Sequence, residues 1–502
     1  MAGKYPLSRK EPVIQGGACV HSVSWCDSRE RLAGQPEARR ARAAHGPGSG
    51  GSPSAGTVRG HRHAPPASVT SPAPLGTRPD PVLIPATGPP SRPPLPLDGH
   101  HHCRREERHL SRTDPTRVLV IGGGIAGTAA ALGLHKAGHE VTVYEAHPDT
   151  AEDIGAFLTL ASNGMRALAQ LDAADAVTAV GFPLTSQRLL DSDGTELTHA
   201  PLGEVAEPGL QYRCLRRGEL NAALQEEAAR RGIRLRHGAR LVAVTDGPHG
   251  VTARFADGTS AHGGLLVGAD GLNSTVRRLL TPAVRPVYAG QRICYGYTGP
   301  AAGADGTGVI TFVRGSETTF GHAVSPAGQT YWFARVSTDP LPVGGSAHRA
   351  PWREELLPLL RKDATPAADI VAASQGTVMV TNATEMPLGA VWHRGRVLLI
   401  GDAAHAASPA TGQGASMALE DAVVLAKALR DLPGAPAAFA AYERHRRPRV
   451  EHNITVSGGI SRGGRNPSRP GPVVARPAEP DEALVRQLAW DSRLSAAAPE
   501  EA

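Results

Sequence analysis

The chain has 502 residues, 40% of them hydrophobic and 20% charged, with a formal net charge of +6, which is room for a large core and two domains. The charge is lopsided: residues 1–112 hold 16 of the 53 Lys and Arg but only 8 of the 47 Asp and Glu, so the remainder is near neutral and a nucleic-acid-binding role for it gets no support. Five cysteines in no metal-ligand or disulfide-scaffold spacing argue against both those classes, the lack of an apolar run long enough for a bilayer argues against a transmembrane segment, and a reducing cytoplasm is the default compartment.

Residues 1–113 are rich in Pro, Gly, Ser, Ala, Arg and His and show no lasting periodicity. Such a stretch buries too little apolar surface to offset its ordering entropy, so it reads as a disordered tail. Its length and scattered acids speak against a targeting leader, and a start assigned too far upstream is the favoured explanation. At Arg117–Ile121 a run of β-formers leads into Gly122-Gly123-Gly124-Ile125-Ala126-Gly127, a G-x-G-x-x-G pattern. A helix then runs to about Lys136 and stops at Gly138, and a second strand at Glu140–Tyr144 delivers Glu145. In a dinucleotide site Gly122 allows the tight turn and Gly124 lets the backbone approach the pyrophosphate. The pyrophosphate rests on the helix N-terminus at Ile125 and Ala126, Gly127 allows close packing, and an acid placed like Glu145 bonds ribose hydroxyls.

Ser162 opens a helical pattern ending near Leu171, and Ser186–Thr198 reads as a hairpin turning at Asp193-Gly194. Arg217–Arg231 is a helix with Leu220, Ala223, Leu224 and Ala228 on one face, and Arg234–Thr245 and Val251–Phe255 read as strands. Leu265–Val267 ends on Gly268-Ala269-Asp270-Gly271, with Arg277 on the helical turn that follows. From Val287 to about Val380 strands alternate and carry aromatics, a second layer able to cover a ligand. Val397–Ile400 then runs into Gly401-Asp402, a strand bringing a carboxylate to the mouth of a nucleotide site, followed by Ser408-Pro409, Gly412-Gln413-Gly414-Ala415 and a helix broken at Pro433-Gly434. After Arg449 the composition turns polar and Pro/Gly/Arg-rich. The fold class expected is α/β: a Rossmann-like nucleotide domain in three parts (114–183, 206–285 and 392–455, the last with a C-terminal helix), interleaved with a mixed β-sheet substrate domain in two (184–205 and 286–391), with a loose tail over 456–502.

These three motifs, in this order, resemble the FAD-dependent aromatic-hydroxylase family, the single-component flavoprotein monooxygenases of the salicylate and urate hydroxylase kind. The resemblance spans roughly Thr116 to Arg449, and Tyr331-Trp332-Phe333-Ala334 resembles a sheet strand of that branch. It implies that Gly122, Gly124, Gly127 and Glu145 hold the ADP half of FAD. It also implies that Asp270, Gly271 and Arg277 serve FAD and the nicotinamide nucleotide, that Asp402 meets the ribityl chain, and that Arg217, at the start of Arg217-Gly218-Glu219-Leu220, contacts the flavin. Leu241 and Val242 on the next strand are weaker candidates. Pro409 is expected to fix the loop over the flavin ring, and the helix start at Gly412–Ala415 to favour negative charge at its N1/C2=O edge. The activity implied is hydroxylation of a small aromatic or polycyclic compound with NAD(P)H and O2 through a flavin C4a-hydroperoxide, the nicotinamide visiting transiently because there is one glycine fingerprint and not two.

The chain departs from the family pattern at Thr384-Glu385-Met386 and at Ala146-His147, so no particular substrate transfers, and no catalytic residue is assigned. Tyr295, Tyr297 and His322 are substrate-pocket candidates because a phenolic substrate calls for a hydrogen-bonding partner or base, although ordinary packing explains each one singly. No metal spacing appears among the 21 histidines. A flavin-dependent reductase, a halogenase or a flavin-binding module without turnover share the same motifs, and the Trp-x-Trp-x-Ile-Pro stretch of related halogenases is absent. NADH versus NADPH, regiochemistry and oligomeric state stay open.

Overall fold

The computed structural model describes residues 116–150, 156–204, 207–299, 306, 308–341, 351–463 and 481–496; the tail expected over residues 1–113 lies outside them. The apolar run at Arg117–Ile121 forms the centre of a six-stranded sheet. Its spatial order is His393–Arg394, Val397–Leu399, Leu265–Gly268, Arg117–Ile121, Glu140–Tyr144 and Arg234–Arg236. All neighbours run parallel except the His393–Arg394 edge. Strands buried on both faces read as continuous β-branched runs, and Val118, Val120, Val267 and Leu398 are each fully buried. The Ile125–Lys136 helix is buried along nearly its whole length because it is wedged between sheet and helix Gly414–Asp431: a Cβ on Gly133 would stand 3.0 Å from the Ala422 carbonyl.

The second layer is a seven-stranded sheet ordered Ser374–Glu385, Val287–Thr298, Thr330–Ser337, Thr318–Val324, Val309–Arg314, Ser186–Leu190 and Glu196–Pro201. It is antiparallel apart from the Val309–Arg314/Ser186–Leu190 pair. Period-2 alternation gives it two different faces. One carries Phe320, Trp332, Ala334 and Val380 onto helices Trp352–Leu360 and Ala367–Ala372. The other carries Tyr295, Tyr297, Phe312, Tyr331 and Phe333, which meet Phe157 and Tyr212.

Three readings change. The single strand expected at Arg234–Thr245 is two: Arg234–Arg236 closes the parallel sheet, and Leu241–Gly247 starts an antiparallel three-stranded meander. The break is at Gly238, whose φ is +72° and where Gly238 and Ala239 donate to the His147 and Glu145 carbonyls. Two helices, Trp352–Leu360 and Ala367–Ala372, interrupt the all-strand stretch after Val287; they bury Leu356, Leu360, Ile370 and Val371 on the sheet. The loose tail expected over 456–502 is ordered in its described parts. Helix Gly434–Ser461 runs into its first six residues, and helix Glu482–Leu488 docks by Leu484 and Leu488. The buried Lys427 ammonium donates to the Gln487 and Ala489 carbonyls at 2.6 Å each, a tie between residues about 60 apart that no local pattern announces.

Candidate functional site

Parallel strands end on the same side of their sheet, so the loops that leave them gather there. Neighbouring strands place Glu145, the Gly122–Gly127 turn, Asp270-Gly271 and Gly401-Asp402 side by side. Backbone bonds hold the row: Gly122 N to the Tyr144 carbonyl at 2.8 Å, Ala269 N to Ile121 at 2.7 Å, Ile400 N to Gly268 at 3.0 Å. Gly122 takes φ +105°, and a Cβ there would stand 2.4 Å from the Ala269 carbonyl; one on Gly127 would fall 1.9 Å from the Gly122 carbonyl. A Cβ on Gly124 would meet nothing within 4 Å, because Gly124 borders a cavity.

That cavity has a volume of about 700 Å³, within the range of ligand and cofactor sites. One wall is the loop row, including Gly122, Gly124, Ile125, Ala126, Glu145, Asp270, Gly271 and Asp402; Arg217 and Leu241 flank it. Pro409 and Gly412–Ala415 form another wall, and Ile293, Tyr295, Ile310, Phe312, Phe333, Arg335 and Thr381 a third. Two helices point open N-termini at it. Neither Ile125–Lys136 nor Gly414–Asp431 has a side-chain cap or an acid in its first turn, so their leading N–H groups are available to an anion. The Glu145 carboxylate accepts from Gly123 N at 2.6 Å and His147 N at 2.7 Å, which fixes it at the cavity rim. Asp270 is engaged by Ser274 Oγ at 2.5 Å and Thr275 N at 2.6 Å, so it shapes its own turn, and burial raises its pKa.

Five expected residues do not border the cavity. Gly127 is packed under the turn. Val242 is 38% exposed, since alternation sends it the opposite way from Leu241. Arg277 is buried and donates to the Ala403 carbonyl at 2.9 Å and to the Leu272 carbonyl, clamping the Asp-Gly loop to the Gly-Asp loop. Tyr297 is on the aromatic face but sits beneath the Arg216 guanidinium at 4.8 Å and edge-on to Tyr331 at 4.9 Å. His322 pairs in register with Trp332 on the helix-covered face, 1% exposed. The sequence reading passed over Phe157, Tyr212, Arg240, Asn273, Thr381 and Arg335, all at the cavity. Arg335 had a signal: it stands two residues after Phe333, in phase on the same strand face.

Beneath the Gly-Asp loop lies a buried charge network. Asp421 accepts from His405 Nε2 at 2.6 Å, Gly401 N at 3.0 Å and Arg446 Nε at 2.8 Å. Glu420 pairs with Arg446 at 2.5 Å and Arg449 at 3.0 Å and accepts from Asn163 at 2.6 Å; Asn163 also donates to Gln413 at 3.1 Å. Burial would raise the Asp421 carboxyl, but His405 and Arg446 outweigh it and hold the pKa at about 2. The Pro409–Gly412 turn is pinned by the far end of helix Gly434–Ser461: Thr411 Oγ1 bonds Asn453 at 2.8 Å and Ser457 at 2.7 Å, and Ser408 bonds Ser461 at 2.5 Å.

Residues 115–457 match the family model described as FAD binding domain. The chain belongs to the FAD-dependent aromatic-hydroxylase family. The aurachin C monooxygenase/isomerase of Stigmatella aurantiaca is 34% identical over 342 residues, 68% of this chain and 87% of that protein. An FAD-dependent urate hydroxylase of Klebsiella pneumoniae is 33% identical over 66% of this chain and 86% of its own length. The crystal structure of Klebsiella pneumoniae HpxO with FAD and uric acid superposes with a TM-score of 0.63 at 29% identity, covering 69% of this chain and 89% of that one. The hydroxylase is thus an FAD-dependent oxidoreductase with a Rossmann-like domain interleaved with a mixed-sheet domain. Among the described residues no His/Cys/Asp/Glu group suited to a metal ion occurs, and no helix is long and apolar enough to cross a membrane.

Proposed function

We propose that this cavity holds FAD and that the protein is an NAD(P)H-consuming, O2-dependent monooxygenase of a small aromatic or polycyclic compound. The observation that carries the reading is one continuous cavity with a glycine loop and two open helix N-termini on one side and an aromatic sheet face on the other. Gly122, Gly124, Ile125 and Ala126 would receive the pyrophosphate and Glu145 the adenosine ribose, with Asp402 beside the ribityl chain. Pro409–Ala415 and Arg217 would border the flavin ring, where the Gly414–Asp431 helix N-terminus favours a negative charge by about 1 kcal/mol. Bound FAD supplies the reduction and oxygen chemistry that no side chain here offers. The protein's part is to orient the substrate against Tyr295, Phe312 and Phe333 and to exclude water. Tyr295 acts as a neutral hydroxyl, since burial pushes its pKa up to about 12. The buried free thiols Cys214 and Cys294 suit a cytoplasmic location.

The test is an aromatic-ligand panel on yellow, FAD-loaded protein, following NAD(P)H oxidation, O2 uptake and product mass. Ligand-stimulated oxidation with a product heavier by one oxygen is expected. Product formed without O2 would replace the reading with a reductase, and no nicotinamide oxidation across the panel with a binding module.

A further inference from the structure

Four arginines among the described residues are less than a tenth exposed: Arg213, Arg277, Arg335 and Arg446. Arg213 donates to the Thr178 carbonyl at 2.8 Å, Arg277 to that of Ala403 at 2.9 Å, and Arg446 pairs with Asp421 and Glu420. The Arg335 side chain, in a residue 5% exposed, makes no hydrogen bond or ion pair with a described residue, and its Nε and Nη1 are buried without a partner. Strand register sets it opposite Ile293 and Thr319, and it borders the cavity with Ile293, Tyr295, Phe333 and Thr381. None of these supplies a counter-charge. Burial lowers its pKa to about 10, with Tyr295 the neighbour opposing the shift, so the guanidinium keeps its proton at neutral pH.

An unpaired buried guanidinium is costly unless a partner arrives, and its planar fork of donors matches a carboxylate or an aryl oxyanion. We propose that Arg335 is the specificity-determining cation of the substrate side of the cavity and that the substrate is an aromatic compound carrying an anionic oxygen, a carboxylate or an ionised ring oxygen. The proposal rests on the reading that the aromatic sheet face is the substrate side. It adds the charge the ligand must bring: the flat rings of Tyr295, Phe312 and Phe333 take the ring system, and Arg335 sets its orientation by gripping one oxygen.

The test uses FAD-loaded wild type, R335K and R335Q, with ligand binding read from perturbation of the visible flavin spectrum, which needs no turnover. One arm compares 2-hydroxybenzoate with 2-hydroxybenzamide. The other titrates 4-nitrophenol at pH values either side of its ionisation. Wild type is expected to prefer the anion in at least one arm by about tenfold or more, the size of one charge-assisted hydrogen bond. R335Q should lose that preference with FAD content unchanged, and R335K should keep part of it. An anion preference unaltered in R335Q, no anion preference by wild type in either arm, or loss of FAD from both variants would each overturn the assignment. NAD(P)H-driven O2 uptake is measured separately. Its absence, with the anion preference intact, would sink the monooxygenase reading and leave Arg335 in place.

Discussion

The two sides of the cavity handle charge in opposite ways. Under the Gly-Asp loop, Asp421, Glu420 and Arg446 are completely buried, and each is matched by at least one opposite charge within 2.8 Å. On the sheet face a single guanidinium, Arg335, is buried with no match among the described residues. A closed network holds a loop in one geometry, whereas an open valence waits for a ligand. The nucleotide side therefore presents mostly backbone (glycines, N–H groups, helix ends) on a rigid charged foundation. The other side presents side chains, which is where substrate choice can vary without disturbing the cofactor.

The comparison breaks most visibly if the foundation is cut. Asp421→Ala leaves Arg446 and His405 facing each other without their shared carboxylate, and removing one member of a buried pair costs about 3–5 kcal/mol. Thermal melts should show a large drop in Tm together with loss of FAD; a melt close to wild type would mean that the network does not hold the loop. Gly124→Val should act in the opposite sense, because a Cβ there meets no protein atom. The cofactor-free protein should melt normally while FAD affinity falls by about tenfold or more, about 1.4 kcal/mol, measured by fluorescence titration. Asp402→Ala is expected to weaken FAD in the same way; full retention in both variants would contradict the cofactor placement.

The smallest effect is the pH response. The folded-state pKa of Asp421 is about 2, below the roughly 3.9 of an unfolded aspartate. A depressed carboxyl contributes stability that is fully present above about pH 4 and lost as pH falls through about 2. Denaturant melts across that window should show a steeper loss in wild type than in Asp421→Asn; parallel slopes would remove Asp421 as the acid-sensitive group.

Much of the nucleotide half was legible because its signals are local. Buried parallel strands are apolar runs, Gly122 and Gly127 are demanded by contacts only a few residues away or in the adjoining strand, and Gly138 sits at φ +91° at a helix end. Three motifs in order then identified the family. The substrate half was legible only as a sheet. Whether His322 or Tyr295 faces the cavity depends on the phase of each strand, and on which face the two helices after Trp352 cover. The wrong reading at Arg234–Thr245 came from two short strands of different sheets, joined by the tight turn at Gly238, that read along the chain as one β pattern.

By itself, then, the sequence determined the order of strands and turns, the places where backbone must approach a phosphate, and membership in a flavoprotein family, because each of the motifs that carry these is complete within its own strand–turn–helix segment. Tertiary structure alone decided that Arg277 clamps two loops and that Ser457 and Ser461 pin the Pro409–Gly412 turn from a stretch that reads as a loose tail. It also decided that Arg335 is buried with an open valence. Such facts concern which distant groups satisfy one another's hydrogen bonds and charges, and spacing along the chain carries no record of that.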